Sequence, residues 1–438
     1  MLTRRGFVAG TAGLCASSSG AAVIPPSAFV SVSGTGFLNG GKPYRFAGTN
    51  LWYAPYLGSQ GKLGHRERLK RELDVLKRNG LSNLRILASG EESPLDNSLK
   101  PAIHGPKPPY NEELLQGLDF TLAEMAGRGM KAVLFLNNFW EWSGGMVTYQ
   151  AWTNGGHFIN LNDPAHPWPE FADFSAGFYV SPKAIALYEE YIAAIIARVN
   201  TVTGKAYRDD PTIMSWQIAN EPRPGGTPSK EKFAAFYAFL ARTAAFIKAR
   251  DPNHLVSTGN EGVMGCLEST ECVLKAHAPK AIDYVTFHMW PQNWSWIDPL
   301  KLDTSYESGE AKCRAYINTH IKLAETLKKP LVLEEFGFPR EENRNGPEAL
   351  TTHRDRFFAM VYKAVEESAK KGGPLAGSNF WAWGGEGQAL HPDYVMKPGD
   401  TTYVGDPPQE PQGRNSVFAS DGSTLKIIAA HAKALAKI

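Results

Sequence analysis

The chain has 438 residues, 43% hydrophobic and 21% charged, an ordinary globular composition with length enough for a sizeable buried core. Its 46 basic and 44 acidic residues leave a formal net charge of +2, so no basic excess points to a nucleic-acid partner. Aromatic residues reach 11%, including 11 Trp, and tryptophans in loops are flat apolar platforms that suit sugar rings as well as core packing.

Residues 1–27 read as a targeting segment. Arg4-Arg5 forms a paired-arginine head, the mildly apolar Val8–Cys15 follows, and small residues run through Ala22. The apolar run is too short and too rich in Gly and Ser to span a membrane. Ala12-Gly13-Leu14 before Cys15 is a poor lipobox. The expectation is an export signal of the twin-arginine type over 1–27, one globular domain over 28–438, and a periplasmic or secreted product with no membrane anchor.

Gly34, Gly36, Gly40 and Gly41 predict a small hairpin within 31–43. Strand-like segments then alternate with helix-like ones. The expected strands are Tyr44–Thr49, Asn83–Ala88, Lys131–Asn137, Ile213–Asn220, His254–Gly259, Ile282–Phe287, Pro330–Phe336 and Ser378–Trp383. The expected helices are Glu67–Arg78, Asn111–Arg128, Pro182–Asn200, Lys230–Lys248, Ala311–Lys328, Thr352–Lys370 and Thr424–Lys437, with a shorter one within 266–279. Eight strands, each followed by something helical, predict an α/β fold, a (β/α)8 TIM barrel with long βα loops. A doubly wound sheet is the rival, but no Gly-x-Gly-x-x-Gly follows the first strand.

The excursions over 138–181, with Trp140, Trp142, Trp152 and Trp168, and over 384–418 are long for a compact domain. In a barrel such loops stand on the C-terminal rim, where active sites are built. Cys266 and Cys272 could close a short disulfide or remain buried thiols, and Cys313 falls in a helical pattern as a free thiol. Nothing resembles metal-ligand spacing, and no metal or organic cofactor is expected.

Two strands end in carboxylates: Ile213–Glu221, closing on Asn220-Glu221-Pro222, and Pro330–Gly337, with Glu334-Glu335. Around them the same rim presents Asn50 with Trp52 and Tyr53, then Arg85, Asn137, Asn138, Trp140, His288, Trp290 and Trp381. A carboxylate at the end of a buried strand costs desolvation energy unless something uses it. Two of them among aromatics and amides match the needs of glycoside hydrolysis, in which one carboxyl protonates the leaving oxygen and the other attacks the anomeric carbon. Arg85 is placed to keep the attacking group ionised, Asn220 to hold a sugar hydroxyl, and Trp381 to floor the reacting sugar.

These motifs carry a resemblance. Asn220-Glu221-Pro222 and Glu335-Phe336-Gly337 resemble the paired motifs of glycoside hydrolase family 5. Phe46–Tyr53, Asn83-Leu84-Arg85, Leu136–Trp140, Phe380-Trp381 and the late loop Gly405–Gly413 running into Asn415–Phe418 are similar to its β-mannanase subfamily. The resemblance covers residues 33–430. It implies a retaining endo-β-1,4-mannanase working on mannan, glucomannan or galactomannan as a monomer without cofactor. Glu221 is then the acid/base and Glu335 the nucleophile. Arg85 and His288 support the nucleophile and the reacting site, Asn220 binds the 2-hydroxyl and Trp381 is the stacking platform, with Trp52, Trp140 and Trp290 also expected to bind sugar. An exo-acting β-mannosidase, a β-glucanase and an inactive carbohydrate-binding barrel are the alternatives. One departure concerns Trp290, which stands where many relatives carry a Tyr whose hydroxyl touches the nucleophile. Because neighbouring strand residues face opposite ways, Glu334 is expected on the outer side beside a cation. Glu141 and Glu386 are read as solvated loop charges.

Overall fold

The computed structural model describes Pro25 and residues 28–438. The export signal expected over 1–27 therefore lies, Pro25 apart, outside the described residues. Three short antiparallel strands come first, β1 (Ser31–Ser33), β2 (Gly36–Asn39) and β3 (Lys42–Tyr44). Eight parallel strands follow: β4 (Phe46–Asn50), β5 (Asn83–Leu87), β6 (Lys131–Phe135), β7 (Ile213–Gln217), β8 (Leu255–Ser257), β9 (Val285–Met289), β10 (Leu331–Phe336) and β11 (Leu375–Phe380). They lie side by side in the order β8-β7-β6-β5-β4-β11-β10-β9.

The two ends of that sheet meet. Asp283 N donates to Val256 O at 2.8 Å and His288 N to Glu261 O at 3.1 Å, while the Thr258 and Thr286 hydroxyls lie 3.2 Å apart. These bonds bring the short β8 against β9 and turn the sheet into a barrel. The strands are buried on both faces, as a parallel sheet wrapped in helices demands.

Helices α1 (Ala54–Gly58) and α2 (Arg66–Arg78) follow β4, and α3 (Glu112–Gly127) follows β5. The excursion after β6 holds α4 (Gly145–Thr153), α5 (Trp168–Ala176) and α6 (Pro182–Ala197). Next come α7 (Lys230–Arg250), α8 (Thr270–His277), α9 (Leu302–Leu327) and α10 (Thr352–Lys370), one after each of β7 to β10. The chain after β11 forms β12 (Trp383–Gly385) and β13 (Val417–Phe418) and closes on α11 (Gly422–Leu435). Ser181, Ser229 and Ser269 start α6, α7 and α8 by accepting a backbone N–H in the first turn.

Phe37 of β2 plugs the bottom of the barrel, packing on Phe46 and edge-on against Tyr284, with ring centroids at 6.4 and 5.4 Å. The opposite end, where the strands finish, is left to the long loops.

Two strands are displaced furthest from expectation. The eighth barrel strand is Leu375–Phe380, three residues earlier than expected, because Gly377 is a strand residue rather than a breaker. A Cβ there would meet the Phe46 ring at 2.4 Å, so glycine makes room for a core phenyl group. Trp383 leaves the barrel and pairs with Val417 instead. The sixth strand is Val285–Met289, because Asp283 is spent on the Val256 backbone, whose N–H it accepts at 2.6 Å.

The three cysteines Cys266, Cys272 and Cys313 are buried free thiols. Among the described residues, no helix is long and apolar enough to cross a membrane.

Candidate active site

At the C-terminal mouth of the barrel lies a cavity of about 770 Å³, walled by Trp140, Trp168, Glu221, Trp290, Glu335 and Trp381 among others. Glu221 follows β7 in a backbone turn with φ +49°, the left-handed region, which is costly for a residue with a Cβ and concentrates at functional sites. The turn aims its carboxyl at the mouth. Glu335 is the penultimate residue of β10. Side-chain oxygens of the two glutamates and a ring nitrogen of His288 all lie within 4.8 Å of one another.

Arg85 on β5 organises the floor. It is fully buried and contacts Glu335 Oε1 through Nη1. Its other bonds go to Gln217 Oε1 at 2.7 Å, Asn50 Oδ1 at 3.0 Å and Asn220 Oδ1 at 2.7 Å. A buried guanidinium needs this many acceptors, and three strand-end amides supply them. Asn220 in turn donates to Asn138 Oδ1 at 3.1 Å.

His288 lies beside both carboxyls and nearer to Glu221 than to Glu335. Its Nδ1 is 2.6 Å from Glu221 Oε1 and 3.3 Å from Glu335 Oε2. Burial pushes the imidazole down to about 4, so it is neutral near pH 7 and donates its Nδ1 proton to Glu221. Glu221 Oε2 accepts a second bond, from Trp140 Nε1 at 2.6 Å. Burial opposes charge on Glu221, but the His288 bond, the Arg223 charge and the Trp140 bond outweigh it and hold the group low. Burial pushes Glu335 up, Arg85 pulls against it, and the Glu221 charge adds to the rise. Two carboxyls this close in a dry pocket behave as one unit that keeps a proton between them. Glu221, His288 and Glu335 are ligand types for a metal ion, yet they are engaged with one another and with Arg85.

The other expected residues divide. Trp381 lies on the cavity floor, edge-on to Trp142 and Trp290 with ring centroids at 6.4 and 6.3 Å. Trp290 presses its ring on the Gly337 backbone and lines the cavity. Trp52 does not reach the cavity: it is fully buried and donates from Nε1 to Gly405 O at 2.8 Å, anchoring the loop after β11. Glu386 is exposed and pairs with Arg71, whereas Glu141 is buried, accepts from Asn97 Nδ2 at 3.0 Å, and is pushed by burial up to about 7. Glu141 is thus no solvated loop charge.

Glu334 also corrects the expectation. A bulge in β10, between Leu333 and Glu335 against β9, inserts one residue and breaks the alternation of faces. Both glutamates therefore face the barrel interior. Glu334 accepts from Gln217 Nε2 at 2.5 Å and from Tyr284 OH at 3.3 Å.

A second ion pair was not foreseen. Arg223 contacts Glu261 Oε2 and lays its guanidinium over the Trp140 and Trp168 rings, 5.2 and 5.3 Å from their centroids. Arg223 follows Glu221 by two residues, and Glu261 ends Gly259-Asn260-Glu261, a strand end much like Asn220-Glu221. The β8 segment was read as ending at Gly259, just short of that carboxylate. Burial pushes Glu261 up, with Arg223 pulling against it. From the loop after β11, Gln409 and Glu410 also face the cavity.

Comparisons with known proteins place this geometry. Residues 27–438 match the family described as GH family 5 beta-mannosidase-like. Mannan endo-1,4-beta-mannosidase 7 of Arabidopsis thaliana is 31% identical over 376 residues, covering 83% of this chain and 79% of that one. The crystal structure of a glycoside hydrolase family 5 mannosidase from Rhizomucor miehei superposes with TM-score 0.86 at 34% identity, over 94% of this chain and 99% of that one. An endo-1,4-beta-mannanase of the same fungus gives TM-score 0.66 at 25% identity, over 94% and 100%.

Proposed function

Because the chain belongs to glycoside hydrolase family 5, in its beta-mannosidase-like group, we propose that it is a retaining endo-β-1,4-mannanase that cuts mannan-type chains by double displacement. The observation that carries the chemistry is the closeness of Glu221 and Glu335, one carboxyl oxygen of each lying within 4.8 Å of the other. A retaining pair stands about 5–5.5 Å apart, whereas an inverting pair needs about 6.5–9.5 Å to admit a water.

Glu335 attacks the anomeric carbon while Glu221 protonates the departing oxygen; Glu221 then takes a proton from the water that releases the sugar. This requires the shared proton on Glu221 and the charge on Glu335. In the free site the bonds from His288 and Trp140 hold Glu221 low while burial holds Glu335 up against the pull of Arg85, so the proton has to pass to Glu221 when sugar binds, and positive charge growing on the ring against Glu335 drives that transfer. Asn220, steadied by Arg85 and Asn138, presents its amide toward the 2-hydroxyl, and Trp381 floors the reacting ring. Trp290, an indole near this site, leaves the nucleophile's tuning to Arg85 and His288.

Two observations favour a second reading, exo attack on manno-oligosaccharides. The better superposition is with a structure called a mannosidase, and the loop after β11 brings Gln409 and Glu410 to the cavity. A timed digest of mannohexaose separates the two. Mixed oligosaccharides at the earliest time point are the expected result; mannose as the sole early product would mean exo action. Export to the periplasm or medium completes the proposal, resting on the paired arginines Arg4 and Arg5.

A further inference from the structure

We propose that Glu334 is a positioning residue for the nucleophile, acting through Gln217 to hold Arg85 against Glu335. The inference rests on the double-displacement reading above and adds a residue to it. Five side chains carry it. Glu334, 1% exposed, accepts from Gln217 Nε2 at 2.5 Å. The other end of the same amide, Gln217 Oε1, accepts from Arg85 Nε at 2.7 Å. Arg85 then reaches Glu335 with Nη1 and Asn220 with Nη2.

An amide has a donor end and an acceptor end of nearly equal size. Gln217 is clamped between a group that only donates, Arg85, and one that accepts, Glu334. Its remaining neighbour, the Ser257 hydroxyl at 3.1 Å, can donate or accept and so cannot set the direction of the amide. The Glu334 backbone serves the same hub, since its carbonyl oxygen accepts from Asn50 Nδ2 at 2.8 Å while Asn50 Oδ1 accepts from Arg85. The β10 bulge is what makes this possible, because an inserted residue lets two consecutive glutamates face the lumen. Burial pushes the Glu334 carboxyl up to about 7, opposed by Arg85 and by the bonds it accepts from Gln217 and Tyr284.

The test compares Glu334→Leu with Glu334→Gln. Leucine removes the acceptor, whereas the amide oxygen introduced by Glu334→Gln can still receive the Gln217 bond. Each enzyme is reacted with 2-deoxy-2-fluoro-β-mannosyl fluoride, which traps the glycosyl-enzyme, and the labelling rate and labelled peptide are read by mass spectrometry. The expected result is labelling at Glu335 throughout, slowed by about tenfold in Glu334→Leu, the worth of one charge-assisted hydrogen bond, and restored to within about threefold in Glu334→Gln. Glu334→Met serves in place of Glu334→Leu if the latter does not fold. An unchanged rate in Glu334→Leu, or an equal loss in Glu334→Gln, overturns the proposal. Wild-type labelling at a residue other than Glu335 overturns the double-displacement assignment instead, so the two failures are distinguishable.

Discussion

Trp140 Nε1 donates to Glu221 Oε2 at 2.6 Å, so the aromatic wall of the cavity is bonded to the acid/base itself. Its ring also stacks on Trp168, with centroids 5.4 Å apart at 25°. A hydrogen bond to a carboxylate favours the charged form. Trp140→Phe keeps the stack and deletes the donor, so the Glu221 carboxyl holds its proton more tightly. The alkaline limb of kcat/KM is expected to move up by about one pH unit, equivalent to about 1.4 kcal/mol. An unmoved limb would show that the bond does not tune the acid.

Arg85 serves four acceptors on Gln217, Asn50, Asn220 and Glu335 from one planar group. Lysine keeps the charge but cannot span that set. Arg85→Lys is expected to lower kcat/KM by about 100-fold or more and stability to urea by about 2–3 kcal/mol, since buried amide oxygens and a carboxylate lose their donor. Wild-type kinetics in this variant would remove Arg85 from the account.

His277 and His320 are buried and neutral, held by burial at about 4 and about 3. Each donates from Nδ1 to the carbonyl four residues earlier, Val273 and Tyr316, and so offers Nε2 as an acceptor, to Thr258 Oγ1 in one case and Val263 N in the other. The unfolded chain takes up these protons near pH 6.5, the folded chain only below 4. Their contribution is therefore complete above pH 6.5 and is lost as pH falls toward 4. Glu334, raised to about 7, works in the opposite sense: it favours folding below pH 4.5, and that contribution fades as pH rises through 7. The two trends offset each other in the wild type, so a variant exposes them. His277→Gln is expected to cost about 2–3 kcal/mol less at pH 4.5 than at pH 7, measured by denaturant unfolding at both. An equal cost at both would mean that His277 is charged in the fold.

Asp406 shapes the loop that carries Gln409 and Glu410. Its carboxylate accepts from Gly413 N and Asn415 N at 2.8 Å each and from Ser416 Oγ at 2.5 Å. Asp406→Ala leaves those donors unpaired. The expected result is a KM for manno-oligosaccharides raised severalfold, with turnover of a small aryl β-mannoside nearly unchanged. Equal losses on both substrates would place the loop's role in the chemistry rather than in holding longer chains.

Much of this was legible in the residues. The alternation of apolar strands and amphipathic helices announced the barrel, and Glu221, Glu335, Arg85 and Asn220 stood at strand ends that converge. Errors arose where tertiary contacts override local pattern. The bulge in β10 turns Glu334 inward, and alternation alone cannot show a bulge. Trp52 resembles a cavity tryptophan in sequence, but its indole is spent on the Gly405 carbonyl. Arg223 and Glu261 lie on separate loops 38 residues apart, and nothing local pairs them. The resemblance implied His288 as a support of the nucleophile and the reacting site; that its Nδ1 lies 2.6 Å from Glu221 and 3.3 Å from Glu335 appears only in three dimensions.

The division of labour between Glu221 and Glu335 is tested most directly by azide rescue of the two alanine variants on 2,4-dinitrophenyl β-mannoside, whose leaving group needs no proton. With Glu221→Ala the glycosyl-enzyme still forms and azide intercepts it, giving the β-mannosyl azide. With Glu335→Ala no glycosyl-enzyme forms, and azide attacks directly from the vacated face to give the α-mannosyl azide. The opposite assignment of the two anomers, or hydrolysis at the wild-type rate in Glu335→Ala, would contradict the account.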